Sequence, residues 1–111
     1  MRRLPHSRRM VLSCLSVAPN HGYGVILWAA TISPEDPRLS IGSVYGAIEA
    51  LEGSELIELH EETVENGRSR RVMRITPPGA KVLVSELARL QRELDATTAS
   101  AIADKSAGAN A

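Results

Sequence analysis

The sequence predicts an α+β fold, mostly α, with three short helices, a β-hairpin and a long last helix. Three observations carry that prediction. Apolar residues recur at helical spacing in three segments that end by Ser54. Two alternating runs flank Asn66-Gly67, a pair suited to a tight hairpin turn. Thr76-Pro77 then opens a stretch in which Ala80, Leu83, Leu87, Leu90 and Leu94 follow at steps of 3, 4, 3 and 4.

The first helix is expected from about Ser7 to Val17, where Met10, Val11, Cys14, Leu15 and Ala18 share one face. Cys14, the only cysteine, reads as a small core residue, and it leaves no disulfide framework and no Cys-based metal site. "APNHG" is a turn signal, and "YGVILWAATI" is a short apolar second helix with Trp28 in the core. "SPEDPRL", with its two prolines, is a loop.

Ser40 caps a third helix running to about Ser54, with Val44, Ile48 and Leu51 as its buried stripe. The run "LIELHEE" alternates next, Ile57 and Leu59 against Glu58 and His60, and "RRVMRI" returns with Met73 and Ile75 on one face. The last helix starts at Thr76-Pro77. Its leucine seam has the spacing of two helices packed side by side, in a second copy of the chain or on its own domain. From Ala96 onward small and polar residues dominate and the end is expected to fray.

A chain of 111 residues with 43% hydrophobic and 23% charged residues is one soluble globular domain. Its three aromatics, Tyr23, Trp28 and Tyr45, leave the core to aliphatic side chains. No segment is long and apolar enough to span a bilayer, and the Arg-rich start runs into an amphipathic pattern, so a cytoplasmic location is expected. The formal net charge is zero, yet the charges are segregated. Arg2, Arg3, Arg8 and Arg9 precede any acid, Glu49 to Glu65 include seven acids and no Lys or Arg, and Arg68, Arg70, Arg71 and Arg74 follow together. A neutral chain can thus present a basic tip.

Catalysis finds no support in these residues. His6, His21 and His60 have no metal-ligand spacing, and Gly22 and Gly24 do not follow a strand as a phosphate loop requires. The expectation is a non-enzyme with no cofactor and no metal. The third helix is more informative, because Gly42, Ser43 and Gly46 make its outer front small, although each Gly costs about 1 kcal/mol relative to Ala. That front suits entry into a major groove or close packing of another protein helix. Arginines at the hairpin turn and return strand favour the groove, since a wing needs cations to meet phosphates. Three helices and a basic hairpin in this order make a winged helix-turn-helix.

From about Leu12 to Leu94, "HGYGVI", "LSIGSVYGAIEALEGSELI" and "ENGRSRRVMRITPPG" together resemble the PadR family of bacterial transcriptional regulators, in its small subfamily with one short C-terminal helix. The resemblance implies a homodimer paired through the last helix with help from the first. It implies binding to double-stranded DNA at an inverted-repeat operator, usually as a repressor, and in some members release by a small-molecule effector. By position, Ser40, Ser43 and Tyr45 stand where family members touch DNA, and Arg68, Arg70 and Arg71 stand on the basic wing. Three departures are visible. Glu49 and Glu52 occupy positions often basic, Glu55 replaces the usual Gly after the recognition helix, and Met73 replaces a common Tyr.

The division expected is a winged helix-turn-helix at 1–76, a dimerisation helix at 77–103 and a disordered tail at 104–111. The DNA-binding residues expected are Ser40, Gly42, Ser43, Tyr45, Gly46, Arg68, Arg70 and Arg71. The dimer seam is Leu83, Leu87, Leu90 and Leu94. The alternative is a winged-helix module that binds a protein partner without specific DNA recognition.

Overall fold

In the computed structural model the backbone is described for residues 3–109 and the side chains for residues 3–101. Arg2 and residues 110–111 of the expected tail lie outside the described residues. The elements are α1 His6–Val17, α2 Gly22–Ile32, α3 Ile41–Gly53, β1 Ile57–Glu65, β2 Arg68–Ile75 and α4 Pro77–Ala109. This is a winged helix-turn-helix with a long C-terminal helix. The order and type of every element agree with the reading from sequence.

The core lies between α1, α3 and the base of the hairpin. Val11, Leu12, Cys14 and Leu15 meet Val25 of α2, Val44, Ala47, Ile48 and Leu51 of α3, Ile57, Met73, and Leu83 of α4. Cys14 is buried there, and Trp28 packs against this cluster partly covered. A full core without phenylalanine follows from branched and aliphatic side chains on all five contributing faces.

Local chemistry sets the element ends. His21 caps α2 with Nδ1, which accepts the Gly24 N–H at 3.0 Å. Ser40 caps α3, its Oγ accepting the Ser43 N–H at 3.1 Å. At the far end of α3, Leu56 N–H reaches Leu51 C=O and Glu55 N–H reaches Glu52 C=O, both at 3.0 Å. That pair of bonds is a Schellman stop, and it forces Glu55 to a φ of 61°. Thr76 caps α4. Its Oγ1 accepts the Gly79 N–H at 3.1 Å and donates to the Glu55 carbonyl at 2.8 Å.

The hairpin turn has Asn66 at φ 50° and Gly67 at φ 75°, the left-handed pair that a two-residue turn needs. The alternation expected along β1 does not persist. A bulge between Leu59 and Glu61 moves the pairing from Leu59↔Met73 to Glu61↔Val72, and Leu59 is 40% exposed. The opposite edge of β2 is bridged by the α1–α2 turn, where Asn20 and Met73 exchange N–H···O=C bonds of 3.0 and 2.8 Å.

The helical backbone of α4 extends to Ala109, into the 104–111 segment expected as a tail. One expectation about the leucine seam needs correction. Leu83 is 4% exposed in the core of its own chain, so it is not free for a seam. Further along, Leu90 is half-buried, while Leu87 and Leu94 are 41% and 58% exposed. Among the described residues no helix is long and apolar enough to cross a membrane.

Candidate nucleic-acid interface

The buried stripe of α3 turns its other side outward. A Cβ built on Gly42, Gly46 or Gly53 meets nothing within 4 Å, so among the described residues the small front of α3 faces open space and packs on no other helix. Ser40 is exposed at its head. Ser43 is half-buried, and its Oγ lies 2.9 Å from the Arg38 carbonyl and 2.8 Å from the Ser40 carbonyl. Its single hydroxyl proton is therefore used by the backbone, and only a lone pair remains for a ligand.

Tyr45 is nearly half exposed and leans from α3 over the N-terminus of α2. A Cβ on Gly22 would sit 2.5 Å from its Cε1 and 2.7 Å from its Cζ. Gly22 is thus the clearance that lets the ring lie where it does. Beside it the Arg70 guanidinium stands 5.5 Å from the centroid of the Tyr23 ring, a cation–π arrangement. The Tyr23 position was not among those expected from sequence. Its signal lay in "HGYG", where small residues flank an aromatic at a helix start.

These side chains border a common concavity. Tyr23, Ile26, Ile41 and Tyr45 line it from α2 and α3, and Asn66, Arg68 and Arg70 line it from the hairpin. The head of α3 and the wing therefore open onto one surface. A second hollow, about 230 Å³, runs behind it between His21, Gly22, Tyr45, Ile48 and β2 residues Ser69 to Arg71 and Met73. Pockets for drug-sized ligands run larger, about 300–1,000 Å³.

The arginines of the hairpin divide by environment. Arg68 is exposed near the turn, and Arg70 is half-buried against Tyr23. Arg71 points instead to α3, where Nη1 and Nη2 reach the two carboxylate oxygens of Glu52 at 3.3 and 2.8 Å. Hydrogen bonds from Arg71 hold the Glu52 carboxyl below the usual carboxylate range. Arg74 is taken by Glu58 at 2.9 Å. Successive side chains of a strand point to opposite faces, which sends Arg70 and Arg71 to different helices. The pairing with Glu52 was not legible in sequence, because 19 residues separate the partners.

Comparison with known proteins adds the following. The model of the transcriptional regulator PadR-like family matches residues 11–85. An uncharacterised 37.1 kDa protein in a transposon of Streptomyces fradiae is 33% identical over 103 residues, which are 93% of this chain and 28% of that protein. The chain thus spans little more than a quarter of that relative. A PadR family transcription regulator from hypervirulent Clostridium difficile superposes with a TM-score of 0.69 at 18% identity, over 85% of this chain and 96% of the other. A PadR family regulator from Eggerthella lenta gives 0.68 at 23% identity, over 82% and 77%. At such identities these two structures establish the fold alone.

Proposed function

The chain belongs to the transcriptional regulator PadR-like family, and from that premise we propose that it binds double-stranded DNA as a homodimer and represses at an inverted-repeat operator. It acts in the cytoplasm, away from any membrane, and not as an enzyme. One observation carries the DNA reading: the open glycine front of α3 and the cations Arg68 and Arg70 border one surface. A helix that must approach base edges gains from a bare leading turn, and a wing beside it gains from charge that meets phosphates.

Ser40, Gly42, Ser43, Tyr45 and Gly46 form the face toward the groove, with Ser43 as acceptor only. Arg68 and Arg70 supply the wing contacts. Pairing through exposed Leu87 and Leu94, with Leu90 beside them, would set two recognition helices in successive major grooves about 34 Å apart. Bound there, the dimer would exclude polymerase or an activator by bulk.

Selection from a random DNA library, followed by titration against salt, tests this. The expected product is a two-fold symmetric site. For about 6–10 phosphate contacts, affinity falls roughly 10³- to 10⁵-fold between about 50 and 200 mM salt. Enrichment of no sequence, together with a partner protein held equally well at both salts, would replace DNA recognition with protein recognition.

A further inference from the structure

We infer that Glu52 withdraws Arg71 from DNA, so that the Glu52–Arg71 pair contributes no net cation and each protomer binds more weakly than its arginine count implies. The inference rests on the DNA reading above. Arg71 engages Glu52 through both terminal guanidinium nitrogens, a fork that matches a carboxylate as it would match a phosphate. Glu52 thus occupies the geometry that a backbone phosphate would otherwise use.

Two further features keep the pair closed. If Arg71 swung to a phosphate, Glu52 would be left uncompensated on the recognition helix beside a polyanion. Glu62, the cross-strand partner of Arg71, adds a second negative charge on the same side of the strand. Arg68 and Arg70 have no such carboxylate fork among the described residues. The Glu52–Arg71 pair is therefore an affinity-setting element, and Glu52 is the residue that sets it.

The experiment compares four full-length proteins on the DNA site selected by the parent: parent, Glu52→Gln, Glu52→Gln with Arg71→Gln, and Arg68→Gln. Thermal melting first establishes that all four fold. Glu52→Gln should bind about 10-fold tighter near 0.1 M salt, with the salt slope steeper by about 0.9 for each bound protomer. The double variant should return to the parent's affinity and slope, because a neutral pair has been replaced by two neutral side chains. Arg68→Gln should weaken binding and flatten the slope. If the double variant binds as weakly as Arg68→Gln, Arg71 reaches phosphate despite Glu52 and the inference fails. It fails too if the double variant stays as tight as Glu52→Gln, since the gain was then only lost repulsion. Weaker binding by Glu52→Gln would make the bridge a strut for the wing, which also overturns it. Failure of all four to select or bind DNA refutes the DNA reading itself, and the inference with it.

Discussion

Replacing Gly46 and Gly79 with alanine should move stability in opposite directions. Gly46 lies mid-helix with a negative φ, and a Cβ there meets open space. Alanine removes backbone freedom from the unfolded chain and adds no clash, so Gly46→Ala should stabilise by about 0.5–1 kcal/mol. For a domain of this size that is a rise in Tm of roughly 2–6 °C. Gly79 is the contrary case. A Cβ there would sit 2.0 Å from the Leu56 carbonyl oxygen and 3.0 Å from Ile75 Cγ1. The same carbonyl accepts the Thr76 N–H at 3.1 Å, so moving it loosens the bond that seats α4 on the end of α3. Overpacking of about 1–3 kcal/mol plus one hydrogen bond near 1 kcal/mol gives a loss of about 2–4 kcal/mol. Paired thermal and urea melts measure both. Gly46→Gln should melt near the parent but bind the selected DNA more weakly, because its side chain fills the cleared front. A destabilised Gly46→Ala would refute the open-face geometry. A Gly46→Gln variant that binds like the parent would remove the reason given for the glycine.

Glu55→Gly should stabilise by about 1 kcal/mol, read by urea titration, since φ 61° is strained for a residue with a Cβ. Leu83→Ala should cost about 2–5 kcal/mol in any oligomeric state, whereas Leu87→Glu with Leu94→Glu should leave a folded monomer by light scattering. A folded dimer in that double variant would exclude these leucines from the interface. The hydrogen bonds from Arg38 hold the Asp36 carboxyl down to about 2. A depressed carboxyl stabilises above its ordinary range, near pH 4, and the contribution disappears as pH falls through about 2. Asp36→Asn should therefore melt below the parent near neutrality, with the gap closing between about pH 4 and pH 2.

The parts of the fold that were legible in sequence have short-range causes. Asn66-Gly67 dictates its turn from two residues, Thr76-Pro77 starts α4 within one helical turn, and Ser40 caps α3 three residues ahead. The bulge after Leu59 was not legible, because it depends on where Val72 must sit relative to the core. The fate of Leu83 was open for a similar reason. A leucine seam of two heptads has the same period whether its partner is α1 or another chain, and only packing decides. Tyr45 and Arg70 were named from position, but what each one leans on, Gly22 and Tyr23, required the tertiary contact. Departures from the family pattern proved informative. Glu55 does occupy the left-handed site that glycine usually fills, and Met73 is fully buried where its backbone bridges Asn20.

That bridge also bears on how the molecule behaves in a crowded solution. With Asn20 bonded to one edge of β2 and β1 to the other, the open edge of the ribbon is the nine-residue β1. An unpaired strand edge of that length is a template on which a second chain can add itself, the first step of aggregation. β1 bears Glu58, Glu61, Glu62 and Glu65 along its length and is kinked by the bulge after Leu59. Two such edges brought together would oppose like charges and mismatched hydrogen bonds. The acids of α3 work against DNA affinity, and a separate set on β1 works against edge-to-edge pairing of the wing.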